Sequence, residues 1–441
     1  MSEPVTDTGT IAGNSLRVLG AQIAGNAGYF VSVLVLARGL RPPDRGAVAF
    51  VTVSALVISG LAGVGTAEAT RVFAAQRPAA RPRLLTNAVL AGFGGGIVGA
   101  GLAVAALVAL GDARPPAVGP LELTAIAGGA VAGAVGLAGA SFLQGCSRFR
   151  AYSRLLAAGP WLYALLVTGA WATWGLSVDV AAIAWVTAQA VPAVVICGVT
   201  ARGTGFGRPD LRLLAETVRY GARAWLGGLA HLLNARVDQV LVGLLASQAV
   251  LGTYAVAVNA SEVLFYLPSA VSTALLPVIA RSGGTARVES TLRVFRAVTI
   301  LTLAAMGTAA VLGPVLVPLV FGAAYAGSVG PFLWLLPGAL GFVASAVFSS
   351  ALLASGAPGL SSLGPVVSLT VGISLDLLLI PRLGATGAAV AASAALLCGG
   401  TASAVAYGVR SGLRASALVP RRADIDLLAS RAMRRAGARP S

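Results

Sequence analysis

Long apolar runs, separated by loops that are by turns rich and poor in arginine, leave this chain one class of fold. It is an all-α polytopic membrane protein. The runs span about 15–38, 46–66, 86–110, 121–145, 154–174, 179–200, 222–245, 252–278, 293–318, 329–354, 361–380 and 385–408. Each can cross roughly 30 Å of hydrocarbon at about 1.5 Å per residue. All 31 basic residues are Arg. They gather after the second run (Arg71, Arg77, Arg81, Arg83), the fourth (Arg148, Arg150, Arg154), the sixth (Arg202, Arg208, Arg212, Arg219, Arg223), the eighth (Arg281, Arg287, Arg293, Arg296) and in the tail from Arg410 to Arg439. The opposite loops hold only Arg38, Arg41, Arg45, Arg114 and Arg382. Arginine resists translocation, so the rich loops are the cytoplasmic ones. An even number of spans puts both termini on that side, in a cytoplasmic membrane.

The composition agrees: 57% hydrophobic and 10% charged residues, where a soluble domain is nearer a quarter charged. The net charge of +16 follows the loop alternation, and no soluble basic domain exists to carry nucleic acid. Its partners are membrane lipids, through their anionic head groups. Cys146, Cys197 and Cys398 are isolated and give neither a disulfide framework nor metal-ligand spacing. One histidine, His231, cannot build a zinc site. The absence of lysine excludes a Walker A motif and Schiff-base chemistry. No cofactor, no metal and no ATP-driven pump are expected in this chain, and no enzymatic activity. The first residues carry Glu3 and Asp7 without Arg, unlike a signal-peptide start.

The organisation reads as a cytoplasmic tail at 1–14, a lobe of six helices at 15–200, a basic cytoplasmic linker at 201–221, a second lobe of six at 222–408 and a basic cytoplasmic tail at 409–441. Internal duplication supports it. The exit of run one aligns with that of run seven, placing Gly46 on Gly252 at an offset of about 206 residues. The exits Leu143-Gln144-Gly145 and Leu353-Ala354-Ser355-Gly356 recur at about 210. Two parallel halves related by a pseudo-two-fold, around a central cavity, form a transporter layout. The stretch Gly92-Phe93-Gly94-Gly95-Gly96-Ile97-Val98-Gly99 lies inside an apolar run. It therefore reads as close helix packing through Gly92/Gly96 and Gly95/Gly99 and not as a nucleotide loop. Pro192, Pro268, Pro277, Pro314, Pro318 and Pro337 are candidate kinks.

An ionisable group in mid-membrane costs several kcal/mol, which makes it a functional candidate. Run seven carries His231, Asn234 and Asp238 on one face, with Arg236 about 200° around the helix from Asp238. Run eight carries Asn259, Glu262, Tyr266 and Ser269 at helical spacing. Arg236 and Glu262 fall at similar depth on adjacent antiparallel runs, either as a structural pair or as an anion contact with a charge-balancing acid. Gln22, Asn26 and Tyr29 share a face of run one, for interhelical hydrogen bonds or for a polar path. Arg17 stands near the cytoplasmic entrance, where it either snorkels or meets substrate, and Arg38 near the outer end. Asp376 reads as interfacial. Beyond Pro420, Ile425, Leu428, Ala429 and Ala432 share a face bordered by arginines, an amphipathic helix or a solvated tail.

Several motifs carry a resemblance. Ala37-Arg38-Gly39-Leu40-Arg41-Pro42-Pro43-Asp44-Arg45-Gly46 is similar to the first-loop signature of polysaccharide flippases in the multidrug/oligosaccharidyl-lipid/polysaccharide exporter superfamily. Phe142–Arg150 resembles their fourth-helix exit. Arg236-Val237-Asp238-Gln239 through Gly252-Thr253-Tyr254-Ala255 resembles the segment joining helices seven and eight. Leu275-Leu276-Pro277, Phe321-Gly322-Ala323-Ala324-Tyr325 and Leu375–Ala389 resemble later landmarks. The resemblance covers about 15–410. It implies two six-helix lobes forming a V, alternating access, and a lipid-linked oligosaccharide carried on a polyprenyl pyrophosphate to the outer leaflet. Polysaccharide polymerase and glycosyltransferases would be the partners. The polar residues available to that path are Arg236, Asp238, Glu262, Asn259, Asn26, Gln22, Arg17 and Arg38. A drug/cation antiporter on the same fold is the alternative, and would favour cavity acids, including one in the first helix, which this chain lacks. A membrane glycosyltransferase or polymerase would need carboxylates on substantial outer loops; a non-transporting scaffold is a further alternative.

Overall fold

The computed structural model describes residues 8–109, 119–266, 268–269, 271 and 284–412. Among them every regular element is a helix. The first seven are α1 (Thr8–Gly39), α2 (Pro42–Ala62), α3 (Thr66–Gln76), α4 (Arg81–Ala109), α5 (Pro120–Gly145), α6 (Phe149–Thr173) and α7 (Val178–Thr204). There follow α8 (Leu211–Leu245), α9 (Gln248–Ser261), α10 (Gly284–Phe321), α11 (Val329–Leu335), α12 (Gly338–Ala354) and α13 (Leu363–Ser411).

Local chemistry sets the boundaries. Pro42 and Pro43 open α2, where their missing N–H groups and fixed φ cost nothing. The chain breaks between α2 and α3 at Val64 (φ 40°) and Gly65 (φ 74°), both left-handed. Ser177 caps α7 by accepting from the Val180 N–H at 3.3 Å. Asp210 caps α8, accepting from Arg212 and Leu213 at 3.1 and 3.0 Å. Pro337 stands at the join of α11 and α12, where the axis bends by 48°, so that expected kink is present. Gly384 (φ 56°) leaves the helical region and divides α13 into two arms.

Nine helices among the described residues are long and apolar enough to cross a membrane, or ten with the bent pair as one span. The last of them is the one divided at Gly384. α8 stands outside the set because its charged and amide residues lower its hydropathy. The arrangement is compatible with the twelve runs read from sequence. Val311, Val315 and Leu319 of α10 are 75%, 66% and 65% exposed, which suits a lipid-facing surface.

The chain divides into two compact units, Met1–Gly252 and Thr253–Ser441, with the boundary inside α9. In the first, α1 lies on α6 through Gly25 and Gly28, the latter leaving only 3.0 Å between a Cβ and the Trp161 nitrogen. Leu36, Val48, Tyr163, Val167 and Ala181 fill the space where α1, α2, α6 and α7 meet. α4 uses its glycines on two sides, as the spacing predicts: Gly92 and Gly96 pack on Ala134 and Val131 of α5, Gly95 and Gly99 on Ala62 and Ile58 of α2. Of the linker expected at 201–221, only 205–210 is non-helical. α8, expected to open the second lobe, belongs to the first compact unit because it packs along α2 and α3. In the second unit, Gly341 and Gly400 bring α12 against the second arm of α13. Ser393 Oγ donates to the Trp334 carbonyl at 2.5 Å and accepts from the Gly338 N–H at 3.2 Å.

Asp376, read from sequence as interfacial, is 2% exposed and lies about two turns before Gly384, where the first arm of α13 ends. The amphipathic segment beyond Pro420 and the Leu275-Leu276-Pro277 motif lie outside the described residues.

Candidate functional site

The first unit contains a long antiparallel seam between α2 and α8 that continues into the start of α9. At one end Gly221 meets the Gly65 carbonyl; midway Gly60 faces the Leu232 side chain; further on Gly243 faces the Phe50 ring. At the arginine-poor end Gly46 lies against the Gln248 carbonyl and Gly252 against the Pro42 carbonyl. A Cβ on either glycine would collide with backbone, which cannot swing aside as a side-chain tip can. Gly46 and Gly252 are the two residues that the internal repeat aligns. Repeat-related helix starts therefore touch backbone to backbone, an arrangement only glycine permits.

The residues proposed from sequence lie on α1, on α8, and on or just after α9. Asn234, Arg236 and Asp238 lie on α8. Asp238 is buried and its Oδ1 accepts from the Gln239 N–H at 2.8 Å. Asn234 Nδ2 donates to the Ala230 carbonyl at 2.8 Å. Arg236 is half-buried and His231 exposed. Asn259 is buried on α9, in the second unit, and Glu262 follows one residue after that helix, half-buried. On α1, Gly25 and Gly28 are buried against α6 while Gln22, Asn26 and Tyr29 are exposed. An exposed amide pair in mid-span is costly against lipid and suits a wet path. Arg17 and Arg38 are exposed near opposite ends of α1.

Two features escaped the sequence. Arg45, counted there as a loop residue, is in the first turn of α2 and 4% exposed. Its Nε is buried with no hydrogen-bond partner among the described residues, and no carboxylate there pairs with it. The Tyr163 hydroxyl, within its electrostatic reach, and the Gln248 amide are also buried without partners. A cation at a helix N-terminus opposes the macrodipole as well, so this arginine-poor end holds a buried charge that no carboxylate among the described residues offsets. The signal was the Pro42-Pro43 pair, which starts the helix before Arg45. The second feature is a cavity of about 520 Å³ inside the first unit, which reaches Ser59, Glu68, Tyr152, Gln189 and Leu232. Four helices contribute its polar groups, and no single run announces them.

The arginine-rich end is held differently. Arg77 grips Glu216 with two bonds, at 2.6 and 2.8 Å, while lying 4.4 Å from the Phe73 ring centroid. Arg83 reaches Asp210 at 3.2 Å, and Asn87 exchanges bonds with the Asp210 backbone at 2.8 and 3.1 Å. The Arg77 side-chain bond holds the Glu216 carboxyl below its ordinary range. The Leu213 N–H at the helix start, with Arg83, does the same for Asp210.

Residues 35–330 match the model of a family described as "Polysaccharide biosynthesis protein". No curated protein matches the sequence. Among solved structures, an inward-facing multidrug resistance MATE family transporter of the MOP superfamily aligns with 16% identity over 90% of this chain and 98% of that one, at a TM-score of 0.66. The lipid II flippase MurJ, in an inward closed conformation, aligns with 13% identity over 92% of this chain and 88% of its own, at 0.67. A MOP superfamily transporter from Pyrococcus furiosus Vc1, described as having a binding pocket of reverse polarity, aligns with 15% identity over 90% and 95%, at 0.59. At these identities the likeness establishes the fold, which is that of MOP-superfamily transporters and flippases.

Proposed function

The chain belongs to the polysaccharide biosynthesis protein family, and on that premise we propose that it is an alternating-access flippase. It moves a polyprenyl-pyrophosphate-linked oligosaccharide across the cytoplasmic membrane for surface polysaccharide synthesis. The observation that carries this reading is the family match, which spans both α2 and α8 and so includes the seam and Arg236. The lobes at 15–200 and 222–408 would rock about the seam, with both termini cytoplasmic. Glycosyltransferases would supply the substrate and a polymerase would receive it. The glycan and pyrophosphate need a polar, cationic route; the prenyl tail can stay in lipid. Arg236 meets the pyrophosphate or an acidic sugar through its planar fork, with Asp238 or Glu262 balancing charge. Gln22, Asn26 and Asn259 offer hydrogen bonds to sugar hydroxyls, and Arg17 and Arg38 flank the path's two ends.

Arg236 variants test this. Arg236→Ala abolishes transport of the lipid-linked glycan at near-normal protein abundance, and Arg236→Lys restores it in part because the bidentate fork is lost. Full activity of the Ala variant removes Arg236 from the path. A second reading, a drug/cation antiporter, draws on the likeness to the multidrug transporter. Under it, proton-coupled efflux of a cationic dye would depend on Asp238 or Glu262.

A further inference from the structure

We propose that a pocket between α1 and α6, at their arginine-rich ends, binds the phosphate of a lipid head group. The pocket encloses about 450 Å³ and is lined by Arg17, Ala21, Arg150, Ser153, Arg154 and Ala157. Arg150 and Arg154 are one turn apart in the first turns of α6; Ser153 and Ala157 continue the same face. Arg17 and Ala21 make the facing pair on α1. The two alanines leave the space, and the three guanidinium groups surround it.

The electrostatics are one-sided. Like charges one turn apart repel. The start of α6 adds the positive end of its dipole. Among the described residues no carboxylate lines the pocket, and neither Arg150 nor Arg154 has an ion-pair partner. Ser153 supplies an independent observation. It is 9% exposed, and its Oγ is buried without a hydrogen-bond partner among the described residues. Ser59 and Thr52, in comparable helical positions, turn back onto carbonyls of their own helix. A phosphate would accept from the guanidinium forks and from this hydroxyl, satisfying both at once. The volume exceeds a bare phosphate's and leaves room for the group it esterifies. Further along α6, Trp161 and Leu165 continue the side of Arg154 and Ala157 and are 40% and 66% exposed, an apolar flank on which a lipid tail can lie. Lipid is therefore the occupant. Only the leaflet it comes from rests on the orientation proposed above. Its source is either an anionic phospholipid of the bilayer or a polyprenyl pyrophosphate.

Native mass spectrometry of the full chain in detergent tests the site, with phosphatidylglycerol, farnesyl pyrophosphate and phosphatidylcholine as separate probes. The wild type is expected to bind phosphatidylglycerol or farnesyl pyrophosphate in preference to phosphatidylcholine, and which of the two it prefers identifies the source. Arg150→Gln with Arg154→Gln weakens that binding about tenfold or more. Ser153→Leu, which keeps every charge and fills the pocket, also weakens it. Arg208→Gln with Arg212→Gln removes equal charge elsewhere and leaves it intact. Equal loss in this control pair, unchanged binding in both pocket variants, or no preference over phosphatidylcholine overturns the proposal. Transport is not part of the readout, so failure of the flippase reading and failure of the pocket are separate results.

Discussion

The two ends of the α2–α8 seam are closed by opposite means. At the arginine-poor end Gly46 and Gly252 bring backbone onto backbone, beside a buried Arg45 that no carboxylate among the described residues offsets. At the arginine-rich end the contacts are between side chains that solvent can reach: Arg77 on the exposed Glu216, and the exposed Arg83 on the half-buried Asp210. A backbone contact is short-ranged, steric and indifferent to salt. A solvated ion pair is adjustable, screened and weak. A seam built this way is rigidly specified at one end and easily loosened at the other, which suits the alternating access proposed for it.

The sharpest way to break this contrast is to add atoms at the glycines. Gly46→Val and Gly252→Val should each abolish transport and destabilise the protein by about 1–3 kcal/mol or more, as overpacking does, visible as a lower melting temperature in detergent. Wild-type melting and transport in both variants would mean the arginine-poor end is not tightly apposed. Next in size is Arg45. Replacing a buried charge that no described carboxylate pairs by an apolar side chain of similar length is neutral or stabilising. Arg45→Met is therefore expected to melt at or above the wild-type temperature while transport falls; a destabilised protein would show that Arg45 has a structural partner instead.

At the other end the effects should be small. Arg77→Ala is expected to lower the melting temperature slightly in low salt and not at all in high salt. A large, salt-independent loss would contradict a solvated clamp. Acidification gives the matching test. The folded-state carboxyls of Glu216 and Asp210 are held below their ordinary values, so their stabilisation is present above the usual carboxylate range and is lost as pH falls through the depressed values. Glu216→Gln should show a smaller melting-temperature drop across that acid window than the wild type. An identical drop would remove the pair from the clamp.

Much of the fold was legible because lipid imposes simple rules. Arginine alternation and run length predicted the helical bundle, and the spacing of Gly92, Gly95, Gly96 and Gly99 predicted close packing that the contacts on α5 and α2 bear out. The pairing of Gly46 with Gly252 appeared in sequence only as a repeat offset; that they touch is a tertiary fact. The burial of Arg45 and of Asp376 was not legible, for one reason. Hydropathy locates a span's apolar middle, whereas Pro42-Pro43 and Gly384 decide where the helix begins and turns, and so whether a flanking charge is in a loop or buried. The polar lining of the 520 Å³ cavity was invisible because its groups come from separate helices.

The most direct test of the account is flipping by the purified chain in proteoliposomes loaded with a polyprenyl-pyrophosphate-linked oligosaccharide, read as lectin access to glycans that begin on the inner leaflet. Protein-dependent exposure of the glycan, lost in Arg236→Ala and in Gly252→Val, is the predicted result. No exposure by a folded protein that instead exports a cationic dye in exchange for protons would contradict it.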